Sequence, residues 1–330
     1  MSAPLLSVED IVVDFRTRAG QARVLDHVSL NIAEGEILGI VGESGCGKSM
    51  TALSIMGLVP DPPGKVTSGA IRLEGRDLVG LSESELCAVR GKDIGMIFQE
   101  PMSSLNPVFT VGEQIAESVR LHESASPRAA MARAVEMLRA VEIPEPEMRA
   151  KAYPHQLSGG MRQRVMIAIA LACRPRVLIA DEPTTALDAT VQAQIFDLLQ
   201  DLQRETGTAI ILITHDMGAI AELADRVAVM YAGRVVEQGA VETVLSNPEH
   251  PYTRGLIACV PHLVPVPPVE REPLLEIPGM VPALTDLGRG CAFAPRCRER
   301  IARCDEAKPP LEAGADAHLT ACWVARGVPA

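Results

Sequence analysis

The sequence predicts an α/β fold built on a largely parallel β-sheet, and two observations lead to it. Continuous apolar runs occur at residues 37–41, 94–98, 177–180 and 209–213, and helical apolar patterns lie between them. Continuous rather than alternating apolarity is typical of strands buried on both faces, as in a parallel sheet. Ligands of such sheets bind at the carboxyl ends of the strands. We therefore expect the polar residues that follow these runs to converge on one site.

The segments around these strands predict further structural units. Residues 131–141 and 191–202 carry apolar side chains at helical spacing. Residues 5–35 and 66–78 are short alternating segments with glycine turns, which predict an antiparallel β subdomain. Proline becomes frequent after residue 245 and predicts a linker over 246–280, followed by a small cysteine-bearing module.

Composition and charge exclude several classes of protein. The chain has 330 residues, and 47% of them are hydrophobic, enough for one large domain with an appendage. Its net charge of −11 argues against nucleic acid as a partner. No apolar stretch reaches the roughly 18 to 20 residues of a membrane span, and the N-terminus lacks the basic region of a signal peptide. We expect a cytoplasmic chain with reduced cysteines.

The first motif with a chemical meaning is a glycine-rich loop that follows the apolar run 37–41. Residues 42–49 read GESGCGKS and fit the phosphate-loop pattern G-x-x-x-x-G-K-[ST]. Its backbone N–H groups can cradle phosphate oxygens, the lysine adds a positive charge, and the serine hydroxyl can bind Mg²⁺. The residues expected to hold ATP and Mg²⁺ here are Gly42, Ser44, Gly45, Gly47, Lys48 and Ser49.

A pair of carboxylates ends the apolar run 177–180. Asp181 is placed to hold Mg²⁺, directly or through water, together with Ser49. Glu182 is then positioned to polarise the attacking water as general base. The phosphate loop and this pair together predict a P-loop NTPase.

A third motif narrows the class of NTPase. Residues 157–163 read LSGGMRQ and resemble the signature of ATP-binding cassette (ABC) ATPases. The phosphate loop, Gln99, this signature, Asp181-Glu182, residues 186–188 and His215 also stand in that family's order. The resemblance covers residues 5 to about 245. It implies an ABC nucleotide-binding domain over 1–245 with a helical subdomain at about 103–160.

The resemblance implies a role for each motif. Ser158, Gly159 and Gly160 would close over the γ-phosphate held by a partner's phosphate loop, so two chains would sandwich two ATP molecules. Gln99 would reach Mg²⁺ and the water, and His215 would hydrogen-bond the γ-phosphate; with Glu182 they form the implied catalytic set. Two further positions are Asp188, which would communicate across the dimer, and Phe15, which would stack on adenine or else belong to the core.

Two segments resemble one branch of the family. Residues 99–107 read QEPMSSLNP and residues 247–254 read NPEHPYTR, as in oligopeptide/dipeptide permease ATPases. This implies a heterodimer with a second ATPase, two membrane permease subunits and an external binding protein, with the chain at the cytoplasmic face of the membrane. Close relatives carry nickel, glutathione or other solutes, and a soluble ABC ATPase acting on DNA or ribosomes is a further alternative. Permease coupling helices would contact Met102, Leu105 and Phe109, if these are exposed rather than packed.

Four cysteines close to the C-terminus predict a metal site. They are separated by 5, 6 and 17 residues, which does not fit an ordinary zinc ribbon. Relatives with this tail resemble carriers of a [4Fe–4S] cluster, with zinc and free thiols as alternatives. Five arginines in the segment are expected to stabilise thiolates. The cysteines are Cys291, Cys297, Cys304 and Cys322, and the arginines are Arg289, Arg296, Arg298, Arg300 and Arg303.

Overall fold

The structure is a computed structural model that describes residues 3–18, 20–99, 104–185, 187–260, 276–314 and 317–327. Its strands are β1 (Leu6–Thr17), β2 (Gly20–Ile32), β3 (Ile37–Val41), β4 (Gly64–Leu73), β5 (Arg76–Asp77), β6 (Ile94–Ile97), β7 (Val177–Asp181), β8 (Ala209–Ile213), β9 (Arg226–Tyr231), β10 (Arg234–Ala240), β11 (Glu312–Ala313) and β12 (Leu319–Thr320).

The helices follow the same chain order. They are α1 (Lys48–Ile55), α2 (Glu83–Val89), α3 (Val111–Glu123), α4 (Pro127–Ala140), α5 (Pro146–Arg149), α6 (Gly159–Leu171), α7 (Ala189–Thr206), α8 (Met217–Leu223), α9 (Val241–Ser246), α10 (Pro251–Ala258) and α11 (Arg303–Glu306). Helices α4 and α7 confirm the two helical patterns. In the part of the chain that the structure describes, no helix has the length and apolarity needed to cross a bilayer.

The large sheet confirms the predicted parallel core. Its strand order is β11-β12-β10-β9-β3-β8-β7-β6, and β9, β3, β8, β7 and β6 run parallel. Every residue of β3, β7 and β8 is buried. Successive side chains of β3 enter different cores, because Leu38 and Ile40 pack on one face of the sheet and Ile37 and Val41 on the other. Burial on both faces explains the continuous apolar runs.

The two cores are covered by different layers. One face of the large sheet packs against an antiparallel sheet of order β2-β1-β4-β5, which confirms the predicted antiparallel subdomain. The other face packs against helices, among them α3, α4, α6 and α7. The parallel strands therefore end between these layers, where the phosphate loop leaves β3.

The structure decides between the two alternatives left open for the apolar residues of the helical subdomain. Leu105 is packed, since it is only 3% exposed and lies in the helical core. Phe109 is 53% exposed, and Met102 lies outside the described residues.

The C-terminal region (246–330) does not stand apart from the ATP-binding domain. Strand β12 pairs antiparallel with β10 and extends the large sheet, and Tyr252 and Phe293 enter the helical core. The predicted linker is partly helical, because Pro251 occupies the first turn of α10, where proline is tolerated, and His250 caps that helix. Residues 261–275 of the predicted linker lie outside the described residues.

Candidate functional site

The phosphate loop connects β3 to α1, as the motif requires. Lys48 is buried, and its Nζ donates to the carbonyl oxygens of Gly42 (2.8 Å) and Glu43 (3.2 Å). Ser44 and Gly45 are exposed at the tip of the loop. The loop thus places the charge of Lys48 next to the N-terminus of α1. Both the lysine and the helix N-terminus favour the binding of an anion there.

Two glycines of the loop cannot be replaced without strain. A Cβ atom at Gly42 would lie 2.2 Å from the carbonyl oxygen of Met230, which is backbone and cannot move aside easily. Gly47 caps α1 with a φ of 107°, in the region that only glycine adopts readily. The spacing of glycines in the motif therefore reflects close backbone packing as well as phosphate binding.

The two predicted Mg²⁺ ligands meet at the base of the loop. Ser49 Oγ donates to Asp181 Oδ1 over 3.1 Å, although 132 positions separate the two residues. Burial raises the pKa of the Asp181 carboxyl, while the hydrogen bond from Ser49 and the charge of Lys48 oppose that shift. A hydroxyl and a carboxylate at this distance are the hard oxygen donors that Mg²⁺ prefers.

Glu182 is the centre of a second cluster, at the end of β7. Its Oε2 accepts hydrogen bonds from Gln99 Nε2 (3.1 Å) and Thr185 Oγ1 (2.9 Å), and His215 Nδ1 lies 3.6 Å away. The Glu182 backbone has a φ of +47°, which is uncommon for a residue with a side chain. Three predicted residues, Gln99, Glu182 and His215, therefore meet at one carboxylate. The strained backbone of Glu182 sets the direction of its side chain.

The signature and residue 188 lie at the starts of two neighbouring helices. Ser158 caps α6 by accepting from Met161 N (3.3 Å), and Asp188 caps α7 by accepting from Val191 N (3.0 Å). A Cβ at Gly160 would lie 3.0 Å from the Val191 side chain, so the two helix starts are packed together, and Gly159 approaches Leu187. The backbone N–H groups of Gly159 and Gly160 form the first turn of α6.

Phe15 lies in the antiparallel sheet rather than in the phosphate loop. It pairs with Ala22 and Gly64, and its ring covers Gly64 so closely that a Cβ there would lie 2.5 Å from Cζ. The side chain is half-buried. One face of the Phe15 ring is therefore packed against Gly64. That the opposite face of the ring stacks on adenine stays a prediction.

The four C-terminal cysteines surround one cavity. Cys291, Cys297, Cys304 and Cys322 line a small cavity of about 10 Å³ together with aromatic and aliphatic side chains. The described residues contain no group of three or more His, Cys, Asp or Glu side chains arranged to hold a metal ion. A metal there stays a prediction.

The expected effect of the arginines on the thiols is wrong. Burial raises the pKa of Cys291 to about 11, and burial also raises the pKa values of Cys297 and Cys322. Three of the five arginines bind carboxylates instead: Arg296 pairs with Glu43, Arg300 with Asp305 and Arg303 with Glu306.

Sequence reasoning missed several residues that contact the site. Thr185 hydrogen-bonds Glu182, and Tyr252 and Arg296 of the C-terminal region contact Glu43 of the phosphate loop. Of these contacts, only that of Thr185 could have been predicted from the sequence, because Thr185 lies three positions from Glu182. The other two contacts join residues more than 200 positions apart.

Comparisons with known proteins agree with this geometry. The ABC transporter family model matches residues 25–185, and the model of the oligopeptide/dipeptide transporter C-terminal region matches residues 236–304. The oligopeptide transport ATP-binding protein OppD of Bacillus subtilis (strain 168) is 51% identical over 97% of this chain and 88% of its own length. The chain belongs to the oligopeptide/dipeptide permease family of ABC transporter ATP-binding proteins.

Other relatives support the same membership. The dipeptide transport ATP-binding protein DppD of the same organism is 48% identical to this ABC ATPase, over 97% of this chain and 94% of its own. A solved dimeric ABC cassette bound to ADP and phosphate has a TM-score of 0.65 and 32% identity, covering 72% of this chain and 98% of its own. The predicted family, fold class and ATPase activity are confirmed. The division at residue 245 and the role of each site residue stay predictions.

Proposed function

We propose that this ABC ATPase hydrolyses MgATP to drive the import of oligopeptides or dipeptides. The observation that carries the proposal is the full-length similarity to two peptide-transport ATPases, which includes the C-terminal region as well as the ATP site. The clusters at Lys48, Asp181 and Glu182 supply the groups that ATP hydrolysis needs.

Each cluster has its own part in the proposed reaction. Lys48 and the loop N–H groups bind the phosphates, and Ser49 and Asp181 would hold Mg²⁺, which neutralises phosphate charge. Glu182 orients the attacking water and accepts its proton, while Gln99 and Thr185 hold the carboxylate through hydrogen bonds. His215, which is exposed beside Glu182, contacts the γ-phosphate.

The second half of each ATP site would come from another ATPase. The solved cassette that this chain resembles is dimeric, and the exposed tip of Asp188 and the α6 N-terminus suit a surface that meets a partner. Ser158, Gly159 and Gly160 would close over the partner's ATP. Because these contacts exist only in the closed dimer, ATP favours closure and hydrolysis releases it.

The membrane partners would dock on the helical subdomain. Large apolar side chains are exposed there, just before α3, on α3 and α5, and after α5, and a group of such side chains suits a protein–protein contact. These are Val108, Phe109, Leu121, Met148 and Tyr153. Two permease subunits at this surface would hold the chain at the cytoplasmic face of the membrane, with a second ATPase beside it and an external peptide-binding protein completing the complex.

We also propose that the cysteine cavity holds a [4Fe–4S] cluster. The support is the donor set: four cysteines line one cavity, and each thiolate can bind a separate iron atom of a cluster. Zinc, which needs four ligand atoms about 2 Å from one point, is the alternative. The test is the iron and sulfide content of anaerobically purified protein; loss of both in Cys297→Ser but not in Cys87→Ser is expected, and absence of both in the wild type would contradict the proposal.

Transport by the reconstituted complex tests the peptide proposal. The ATPase is combined with two permease subunits and an external binding protein of the same organism, and uptake of labelled di- and oligopeptides into proteoliposomes is measured with and without ATP. ATP-dependent peptide uptake that Glu182→Gln abolishes is expected. Uptake of nickel or glutathione without peptide would favour those solutes, and the absence of permease genes nearby would favour the soluble ABC alternative.

A further inference from the structure

An aromatic cluster joins the C-terminal region to the phosphate loop. The chain has only five Phe, three Tyr and one Trp, yet Tyr231, Tyr252 and Phe293 pack together with ring centroids 4.7 to 5.4 Å apart. Tyr252 and Phe293 belong to the C-terminal region. The Tyr252 hydroxyl accepts a hydrogen bond from the backbone N–H of Glu43, the second residue of the phosphate loop, over 2.9 Å.

Arg296 binds the side chain of the same glutamate. Its two terminal nitrogens donate to the two Glu43 oxygens over 2.6 and 3.0 Å, the bidentate geometry that makes such pairs strong. The guanidinium also donates to Pro278 O, Ile277 O and Tyr231 Oη, so all five of its N–H donors have acceptors. The Arg296 side chain is 4% exposed, and its environment therefore fixes it in place.

Glu43 is held at each of its polar groups. Its N–H is bound by Tyr252, its carboxylate by Arg296, and its carbonyl by Lys48 of the same loop. Arg296 also neutralises a carboxylate that would otherwise lie unopposed in a loop that binds a triphosphate. Hydrogen bonding to Glu43 raises the pKa of Arg296, so the guanidinium keeps its charge at every pH of interest.

We infer that Arg296 and Tyr252 are positioning residues of the ATP site, through which the C-terminal region holds the phosphate loop in its nucleotide-binding shape. Neither residue needs to touch ATP, because both act through Glu43. The inference concerns nucleotide binding alone, so it holds whichever solute the transporter carries.

The test is a double-mutant cycle on MgATP affinity in the full-length chain. Arg296→Met leaves the Glu43 charge unpaired beside the phosphates and is expected to raise the Kd for MgATP about tenfold. Glu43→Gln removes that charge, keeps one hydrogen bond from Arg296 and leaves the guanidinium unpaired on the side away from the phosphates, so it is expected to raise the Kd less, by about threefold. The double variant should bind like Glu43→Gln, because the second substitution relieves the first.

Controls separate this role from a general effect on folding. Arg300→Met removes another paired arginine of the same segment, and it should leave the affinity unchanged because Arg300 binds Asp305 instead. Tyr252→Phe keeps the packing, leaves the Glu43 N–H unpaired, and should raise the Kd about fivefold. In the assembled transporter, Arg296→Met should raise KM for ATP and leave kcat within about twofold of wild type.

Two results would overturn the inference. One is an Arg296→Met chain that is folded, by its thermal unfolding without nucleotide, and still binds MgATP within about twofold of wild type. The other is a double variant that binds as weakly as Arg296→Met, because the defect would then come from lost packing and not from Glu43.

Discussion

The substitution Glu182→Gln tests the proposed chemistry most directly. Glu182 Oε2 accepts from Gln99 and Thr185 and lies beside His215, and an amide oxygen in its place can still accept both hydrogen bonds. The side chain keeps its size, so packing and nucleotide binding should hardly change. What is lost is the negative charge that takes the proton from water, an effect of about 10²- to 10⁴-fold in rate.

The assay is steady-state ATP hydrolysis by the assembled transporter, with MgATP affinity measured on the same preparation. We expect kcat to fall by at least about a hundredfold, which corresponds to about 2.7 kcal/mol in the barrier, while the Kd stays within about threefold. Glu136→Gln, which replaces an exposed carboxylate paired with Arg133, should change neither value. A Glu182→Gln transporter with kcat within threefold of wild type would refute Glu182 as the general base.

Three further predictions concern packing and pH. Gly42→Ala should weaken MgATP binding at least about tenfold, because the added methyl group would lie 2.2 Å from the carbonyl oxygen of Met230. An equilibrium titration measures this, and unchanged binding would contradict the close packing. Burial lowers the pKa of His250 to about 3 in the folded protein, below its ordinary 6.5. The unfolded chain therefore takes up a proton at His250 that the folded protein does not, and the free energy of unfolding decreases as the pH falls below 6.5. Relative to His250→Asn, the wild type should lose about 2.3 kcal/mol of unfolding free energy between pH 6.5 and 4.5, and an equal pH dependence in the two proteins' denaturant curves would refute this. Burial would raise the pKa of Asp26, but its hydrogen bond and ion pair with Lys308 hold that pKa below the ordinary value. Lys308→Met should therefore lower the unfolding free energy by about 1 kcal/mol at pH 7, and this difference should fade as the pH falls below about 4. Thermal unfolding of both proteins at pH 7 and below about pH 4 measures it.

Local patterns predicted the ATP site because its chemistry depends on short spacings. The phosphate loop, Asp181-Glu182 and the signature each lie within a few residues of a buried strand or a helix start. In a parallel sheet, the ends of neighbouring strands meet at one edge, so these motifs come together once the strands are recognised. The hydrogen bonds from Ser49 to Asp181 and from Gln99 to Glu182 follow from that rule.

Patterns failed where long-range packing decided the outcome. The local sequence left open whether Leu105 is exposed or packed, and the structure places it in the helical core. The arginines around the cysteines were expected to act on the thiols next to them in sequence, yet Arg296 pairs with a carboxylate 253 positions away. Spacing along a chain cannot show which of several nearby charges the fold will bring together.

By itself, the sequence determined the family and the order of the motifs and predicted which residues handle ATP, because these depend on local geometry that a few glycines, charges and apolar runs impose. Only the tertiary structure decided that the C-terminal region extends the large sheet through β12 and holds the phosphate loop through Tyr252 and Arg296. The physical reason is that burial and charge pairing act between surfaces, and those surfaces exist only after the chain has folded.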